Sequence, residues 1–586
     1  MKLSLHLPSW LTHYQKHWLS GDLTAGLIVT VMLIPQSLAY AMLAGMPPQV
    51  GLYASVLPLV AYALFGSSMT LAVGPVAVAS LMTASALAPL AAAGSAEYVV
   101  LGVLLALMSG LMLFAAGLLR LGFLAYFLSH PVISGFISGS AVLITIGQLK
   151  PLLGVSLPSG SALETLTALV RSLDKIKPTT AAIGIISLVF LVFARAQLGP
   201  LLKKAGVPPK LADLSTRLAP MLAVIGATAY VATSGVDRSH GVSIVGTVPA
   251  GLPQLGLPSI EWQQMNTLWL PALLISLVGF VESVSVAQSL ALKRGQRIQP
   301  NRELLGIGAA NVASALSGGY PVTGGFARSV VNFSAGANTP AAGMVSAVLM
   351  AAVIAGLTGW FHYLPHTVLA ATIIVAVTAL IDFDTLKEAW HYDKADATSL
   401  LLTFAGVLVL GVDEGILLGV VLSLAALVWR SSHPHMAVVG RVPGTEHFRN
   451  IERHQVQTLP GLVALRIDES LYFANAQLLE EKIETLIQTY AGTRCILLIL
   501  SAVNQLDTTA LGILTELEKS LASRGITLQF SEVKGPVLDR MRSTPLGQRM
   551  QDRIFLSTHQ AFLTFAYSHP STSPDSARKV SWSSTH

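Results

Sequence analysis

Long runs without a charged residue constrain this chain more than any other feature. Residues 23–96 contain no Lys, Arg, Asp or Glu, and neither do residues 121–149. These runs are too long for buried strands or ordinary core helices, whereas about 20 apolar residues are enough for a helix to cross a bilayer. The 586 residues are 53% hydrophobic and 11% charged, against roughly 25% charged residues in soluble proteins. The sequence therefore predicts an α-helical protein that crosses a membrane many times.

Fourteen apolar segments can be placed along the chain, and those at 74–90 and 323–336 are broken by Gly and Pro. Basic residues fall mostly in the even-numbered loops, which by the positive-inside rule puts those loops and both termini in the cytoplasm. We therefore expect a multi-pass protein of the cytoplasmic membrane, surrounded by lipid. The segments are 24–43, 48–66, 74–90, 98–119, 131–148, 179–197, 217–234, 267–291, 303–318, 323–336, 340–358, 366–381, 396–411 and 413–430.

The segments show signs of an internal repeat. PQSLAYAMLAG (35–45) resembles AQSLALKRG (287–295), and the two broken segments stand about the same distance apart. Because seven segments is an odd number, the second copy would enter the membrane from the opposite side, as in many secondary transporters. Chance similarity among Ala- and Leu-rich segments is the alternative.

The chain changes character after Arg430. We expect a cytoplasmic N-terminal segment without a signal peptide at 1–22, a transmembrane domain at 23–431 and a polar linker at 432–455. Alternating strand and helix patterns then predict a small cytoplasmic α/β domain at 456–567, which begins with a strand pair at 461–475. The Ser/Pro/Thr-rich tail at 568–586 is expected to be disordered.

Arg328 is the one charged residue in the long run from Leu304 to Ile381, within the broken segment TGGFARSVVNFSAGANTPAAG. A helix that begins in mid-membrane leaves free N–H groups and a positive dipole end, which is tolerated only beside a cavity or a ligand. Two such helix starts and Arg328 would together form an anion site. Alternatively, Arg328 extends to the membrane surface or bonds a neighbouring carbonyl.

Glu282 is the one charged residue between Trp262 and Lys293. Removal from water favours the neutral form of a carboxyl group, so a lone carboxylate in an apolar helix can take up a proton near neutral pH. In a transporter it would be the proton-coupling residue. A structural ion pair with Arg328 is the alternative, and both can hold, since protonation would break the pair.

Gln36 and Tyr40 lie four residues apart on one helix face, next to Pro35, which should loosen the helix. Both side chains could donate hydrogen bonds to an anion. A packing role is equally consistent with the sequence alone.

These motifs together resemble the SulP (sulfate permease) anion transporter family. LIPQSLAYAMLAGMPPQVGLYAS (33–55) is similar to the family signature, VESVSVAQSLA (281–291) to its eighth-helix motif and GGYPVTGGFARSVVN (318–332) to its tenth-helix motif. Residues 456–567 resemble the STAS domain that ends these proteins. The resemblance implies fourteen transmembrane segments in two inverted seven-segment repeats, divided into core and gate domains, and a homodimer.

The resemblance also implies roles for individual residues. The anion would bind between the N-termini of the third and tenth helices, and Glu282 matches the acidic residue linked to proton coupling in prokaryotic and plant members. Sodium-coupled bicarbonate members tend to carry Asp there. The family often has Ser where this chain has Gly325 and Ala327, which leaves the anion preference open. The residues at anion-lining positions are Gln36, Tyr40, Val76, Ala77, Gly325, Phe326, Ala327 and Arg328.

In the cytoplasmic domain, QLDTTALG (505–512) matches a loop that can be phosphorylated in STAS relatives. Asp507 or Thr508 could be a regulatory site for a cytoplasmic partner, but a helix N-cap is the favoured interpretation. The sequence contains no P-loop, nucleophile elbow or metal-ligand cluster, so we expect no enzyme activity, no cofactor and no metal site. The single Cys495 excludes an intramolecular disulfide, and the small net charge of +6 gives no indication of nucleic-acid binding.

The sequence thus predicts a secondary active transporter of an inorganic anion, most simply sulfate taken up with protons. A bicarbonate or C4-dicarboxylate transporter or an anion exchanger would share the fold. More distant alternatives are a nucleobase–proton symporter, an anion channel and a membrane-bound signalling protein. Of these, the symporter would call for a second carboxylate near the place where Arg328 stands.

Overall fold

The computed structural model describes residues 8–126, 129–155, 162–256, 261–569 and 578–579. The chain forms two compact units, Met1–Leu424 and Ala425–His586. The predicted disordered tail lies mostly outside the described residues.

The first unit is almost entirely helical. Each of the predicted apolar segments overlaps at least one helix, and eight helical stretches in the described ranges are long and apolar enough to cross a membrane. Pro48, Pro178 and Pro300 each occupy the first position of a helix, where the missing N–H removes no helical hydrogen bond. The fold is that of a multi-pass helical membrane protein, while the count of fourteen crossings stays a prediction. The main helices are Trp18–Leu43, Pro48–Tyr53, Leu57–Phe65, Ala77–Leu87, Ala96–Leu118, His130–Leu153, Ala162–Arg171, Pro178–Phe193, Gly199–Lys204, Pro209–Ser234, Trp262–Leu292, Pro300–Leu316, Phe326–Ser334, Ala341–Gly356, His366–Thr378, Phe383–Tyr392, Lys394–Val409 and Val412–Ser432.

Small residues allow the helices of this unit to approach closely. A Cβ added to Gly308, in the helix Pro300–Leu316, would lie 2.9 Å from the carbonyl oxygen of Gly110 in the helix Ala96–Leu118. Between apolar helices in a membrane, close packing replaces the hydrophobic effect as the source of stability.

Both broken segments have the same local structure. Each consists of a two-residue strand, Val73–Gly74 or Thr323–Gly324, followed by a short helix that begins within three residues. We call Ala77–Leu87 the first short helix and Phe326–Ser334 the second short helix. The strands pair antiparallel, with Val73 opposite Gly324, so both short helices begin at one place in the fold.

The second unit is an α/β domain around a mixed sheet. The central strand Cys495–Ile499 is buried on both faces, as is typical of a parallel sheet covered by helices. It pairs in parallel with Leu462–Ile467 and Thr527–Ser531, and the latter with Ile554–Phe555. The helices are Ala476–Thr489, Thr508–Ser523, Gly535–Arg542, Pro545–Arg549 and Thr558–Ser568.

The start of this unit differs from the prediction in two places. The expected strand pair at 461–475 is a single strand, Leu462–Ile467, because the residues after it turn towards the helix Ala476–Thr489. Residues 432–455, expected as a linker, include the strands Met436–Arg441 and Phe448–Asn450, which pair with each other. These strands are hard to recognise in the sequence, because the apolar stretch is short and stands between Pro434 and Pro443. Strand Met436–Arg441 also pairs antiparallel with Leu462–Ile467. Strands Gln457–Thr458 and Arg578–Lys579 extend this edge.

Candidate functional site

One cavity in the first unit brings together five stretches of the chain that are separate in sequence. Its volume is about 40 Å³, counted as the space open to the centre of a water molecule, where a single water needs roughly 10–15 Å³. Every membrane residue that the sequence singled out lines it, and so do four residues that the sequence did not indicate. The first group is Gln36, Tyr40, Val76, Ala77, Glu282, Gly325, Phe326, Ala327 and Arg328, and the second is Pro75, Val78, Ala376 and Leu380.

The starts of the two short helices form much of the cavity wall. Val76 and Gly325 are the N-cap residues, and neither has a side-chain acceptor that could cap the first turn of its helix. The first N–H groups of a helix have no partner within the helix. Both short helices therefore present N–H groups without an intrahelical partner, and the positive ends of their dipoles, to the same cavity.

Arg328 lies in the first turn of the second short helix and is only 2% exposed. Its Nη1 and Nη2 atoms are buried without a hydrogen-bond partner among the described residues. Burying a guanidinium costs free energy unless acceptor atoms, from water or from an anion in the cavity, complete its hydrogen bonding. The alternative interpretation, that Arg328 extends to the membrane surface or bonds a carbonyl through these two atoms, is not what this geometry shows.

Glu282 reaches the same cavity from the helix Trp262–Leu292. It makes no hydrogen bond or ion pair within the described part of the chain, so the alternative of a direct bridge to Arg328 is absent from this structure. Its neighbour Ser283 accepts a hydrogen bond from the backbone N–H of Gly324 at 2.8 Å. This bond fastens the helix that carries Glu282 to the strand that leads into the second short helix.

Gln36 and Tyr40 lie on the helix Trp18–Leu43 and are each 8% exposed. Pro35 stands inside the same helix, so the carbonyl four residues before it receives no helical hydrogen bond. The amide and the phenol add neutral polar groups to a cavity that otherwise carries two charged side chains.

Two buried carboxylates that the sequence analysis missed hold the segments next to the short helices. Glu303 accepts hydrogen bonds from the Tyr62 hydroxyl (2.7 Å) and the backbone N–H groups of Ser67 (2.8 Å) and Ser68 (3.0 Å). Asp22 accepts bonds from the backbone N–H (3.0 Å) and hydroxyl (2.7 Å) of Thr339. Both acids stand near the first turn of an apolar segment, which is the signal that could have identified them.

Arg294 fixes the far end of the second short helix. It donates to the carbonyl oxygens of Ala337 (2.6 Å) and Phe333 (3.2 Å), and its guanidinium stacks 4.4 Å from the centre of the Phe333 ring. A cation at a helix C-terminus complements the negative end of the dipole. An arginine therefore lies at each end of the second short helix: Arg328 in its first turn, and Arg294 against the carbonyl groups at its C-terminus.

In the STAS region, Asp507 is the N-cap of the helix Thr508–Ser523. Its side chain accepts hydrogen bonds from the backbone N–H groups of Ala510 and Phe473, both at 2.8 Å. The favoured interpretation as a cap agrees with this geometry. Thr508 is exposed at the first helical position.

The fold and the cavity define a class: a multi-pass helical membrane protein with a buried polar site between two broken segments and a C-terminal α/β domain. Residues 19–403 match the Sulfate permease family and residues 453–561 the STAS domain. The chain belongs to the sulfate permease family and ends in a STAS domain.

Similar proteins cover most of the chain. Sulfate transporter 4.1, chloroplastic, of Arabidopsis thaliana is 35% identical over 535 residues, which are 89% of this chain and 76% of that protein. A probable sulfate transporter of Mycobacterium tuberculosis is 34% identical over 557 residues, 94% of this chain and 96% of that protein.

Solved structures show the same fold. The murine anion transporter Solute Carrier 26 family member A9, in the inward-facing state, superimposes with a TM-score of 0.87 at 22% identity, over 96% of this chain and 94% of its own. The transmembrane domain of a cyanobacterium bicarbonate transporter gives a TM-score of 0.57 at 26% identity, over 70% of this chain and 98% of its own.

Proposed function

We propose that this protein is a secondary active transporter of inorganic anions that takes up sulfate together with protons. The observation that carries the proposal is the guanidinium of Arg328, which is buried in the cavity with two unpartnered nitrogen atoms. Such a group needs acceptor oxygens, and an oxyanion supplies them. The relatives named as sulfate transporters support sulfate as the substrate.

The two short helices complete the anion site. The first residues of both helices line the cavity, so their free N–H groups and positive dipole ends can contribute to binding an anion there. Gln36 and Tyr40 supply neutral donors. The site thereby combines one full positive charge with fixed partial charges, an arrangement that holds an anion without a metal or a cofactor.

Glu282 provides the coupling to protons. A deprotonated carboxylate in the same small cavity would repel a sulfate dianion at short range, whereas a protonated carboxyl would not. Sulfate and a proton therefore enter the site together, and each favours the binding of the other.

Sulfate uptake into proteoliposomes, with and without an inward proton gradient, tests this mechanism. We expect the gradient to accelerate uptake by the native protein. The Glu282→Gln variant should lose this acceleration. It should still exchange internal for external sulfate, because exchange moves no net proton. Arg328→Ala should abolish both.

The matched control is Glu388→Gln, which neutralises an exposed carboxylate on the helix Phe383–Tyr392. It should respond to the gradient like the native protein. Native uptake that ignores the gradient, or an unchanged response in Glu282→Gln, would refute the proton coupling and leave anion transport in place.

Bicarbonate is the second candidate substrate, supported by the similarity to a bicarbonate transporter domain. A C4-dicarboxylate and anion exchange are further possibilities within the same fold. Competition of each anion with labelled sulfate ranks them. The nucleobase–proton symporter has less support, because Arg328 stands in the second short helix near the place where a second carboxylate would be needed.

We also propose that the protein works as a homodimer in the cytoplasmic membrane with both termini inside the cell. The support is the loop charge pattern and the family. The STAS domain, through the surface at Thr508, is the proposed contact for a cytoplasmic regulator. Cross-linking in native membranes tests the dimer.

A further inference from the structure

Asp413 is an acidic residue of the first unit that the proposed function does not use. It lies in the first turn of the helix Val412–Ser432 and is partly buried. Its Oδ1 atom is buried without a hydrogen-bond partner among the described residues. A buried carboxylate oxygen without a donor costs free energy, and a bound proton removes the charge that causes this cost. Asp413 is therefore suited to binding a proton reversibly.

The Asp413 carboxyl group has no cation beside it in the described ranges. Ser85, near the end of the first short helix, faces it with a hydroxyl, and Glu414 is the charged residue next to it. Glu414 is exposed, and a Cβ added to Gly411 would lie 2.8 Å from its Oε2 atom. The Glu414 carboxylate thus turns to the loop before the helix, whereas the Asp413 carboxyl turns to the protein.

A small cavity lies between the helix of Asp413 and Glu282. Its volume is about 10 Å³, counted as the space open to the centre of a water molecule, which is close to what one water molecule needs. Ile416 lines this cavity and is 2% exposed. Because Asp413 and Ile416 stand three residues apart, they lie on the same face of their helix. Glu282 lines the cavity from the helix Trp262–Leu292.

The rest of the cavity lining is apolar and comes from the helices His130–Leu153 and Trp262–Leu292. No side chain that lines this cavity, apart from that of Glu282, can bind a proton. A proton could therefore cross from Asp413 to Glu282 only through water in this space.

We propose that Asp413 is the residue through which protons from outside reach Glu282. By the loop charges, the loop before the helix Val412–Ser432 is the thirteenth and lies outside the cell. Asp413 takes a proton from external water and passes it through one water molecule in the small cavity to the carboxylate of Glu282. Asp413 then returns to its ionised form. This inference rests on the proposed function, in which Glu282 carries the coupled proton.

The test compares two rates in proteoliposomes: sulfate uptake driven by an inward proton gradient, and exchange of internal for external sulfate at equal pH. We expect Asp413→Asn to slow the gradient-driven uptake by about tenfold and to leave exchange unchanged, because exchange moves no net proton. A merely structural role of Asp413 would slow both rates. Since the same path serves entry and exit of the proton, a mixed orientation of the protein in the vesicles does not hide the effect.

Two further variants serve as controls. Glu414→Gln removes the adjacent exposed carboxylate and should respond to the gradient like the native protein. Asp413→Glu keeps the carboxyl group and should restore most of the response. If Asp413→Asn does not fold, Asp413→Ser, which is smaller and also neutral, decides by the same two rates. A native response in the neutral variant, or an equal slowing by Glu414→Gln, would overturn the inference.

The outcomes separate this inference from the proposed function. In the Glu282→Gln background, Asp413→Asn should add nothing, because the path ends at Glu282. Native uptake that ignores the gradient would refute the proposed proton coupling, and the inference with it. A native response that Glu282→Gln removes and Asp413→Asn leaves intact would refute the inference alone.

Discussion

Glu303 illustrates how a buried charge can be structural at one position and functional at another. Glu303 is 0% exposed and, like Arg328, lies in an apolar unit. In contrast to Arg328, both of its carboxylate oxygens accept hydrogen bonds. The donors are a hydroxyl from one helix and the loop that leads to the first short helix. A satisfied carboxylate stabilises a loop, whereas the guanidinium of Arg328 has two nitrogen atoms without a partner among the described residues, which is the observation behind the proposed anion site.

Substitution of Glu303 by Gln should therefore destabilise the first unit. The glutamine NH₂ would face donors that now bond a carboxylate oxygen, with an expected loss of about 2–3 kcal/mol. Thermal unfolding of the purified protein measures it, with the exposed Glu388→Gln as the comparison. Equal melting temperatures for the two variants would contradict this account.

Isolated charges could be recognised from the sequence because each is alone in a long apolar run. That is why Arg328 and Glu282 were found, and why Gln36 and Tyr40 followed from helical spacing. Ala376 and Leu380 could not be found, because apolar residues in an apolar segment carry no signal of the space that they line. The inward orientation of Asp22 and Glu303 was missed because acids at segment ends usually face water, although their position beside an apolar segment was a signal that could have identified them.

Among the secondary-structure elements, the two-residue strands have the largest effect on the geometry of the site. Strands this short have no alternating pattern, so the sequence indicated only that the segments were broken. Their pairing brings together two short helices that lie about 250 residues apart. The cap of the STAS helix Thr508–Ser523 was easier to predict, because an Asp before a helical pattern is a local signal.

Asp507→Ala should loosen that helix. It removes the acceptor of two backbone N–H groups, and we expect a loss of about 1–2 kcal/mol in local stability. Hydrogen exchange on the full-length protein would show faster exchange in the first turn of Thr508–Ser523. Thr508→Val, at the exposed neighbouring position, is the control, and equal exchange in both variants would count against the cap.

For the whole molecule, the loop charges predict which side of the membrane the STAS domain occupies, and the single cysteine makes this testable. Cys495 is 1% exposed in the central strand, and burial raises the pKa of its thiol to about 12. Because the thiolate is the reactive form, native Cys495 should not react with maleimide at neutral pH. The native protein should therefore give no maleimide labelling of its own.

An exposed cysteine introduced by Thr509→Cys, in the helix Thr508–Ser523, should react readily in the purified protein. In intact cells it should resist a membrane-impermeant maleimide and react after the membrane is permeabilised, because the proposed orientation puts the domain in the cytoplasm. Labelling of intact cells would reverse the proposed orientation. Labelling of the native protein without the substitution would instead contradict the burial of Cys495.

In the proposed transport cycle, the antiparallel pairing of residues 73–74 with 323–324 would restrict how the site alternates between the two sides of the membrane. Neither short helix can tilt away from the other without loss of the backbone bonds that join their starts. We infer that both travel as a single rigid body with the bound ion, and that the sliding boundary is the wall formed by Ala376 and Leu380. A covalent cross-link between that wall and either short helix would then arrest turnover while leaving occupancy of the site intact.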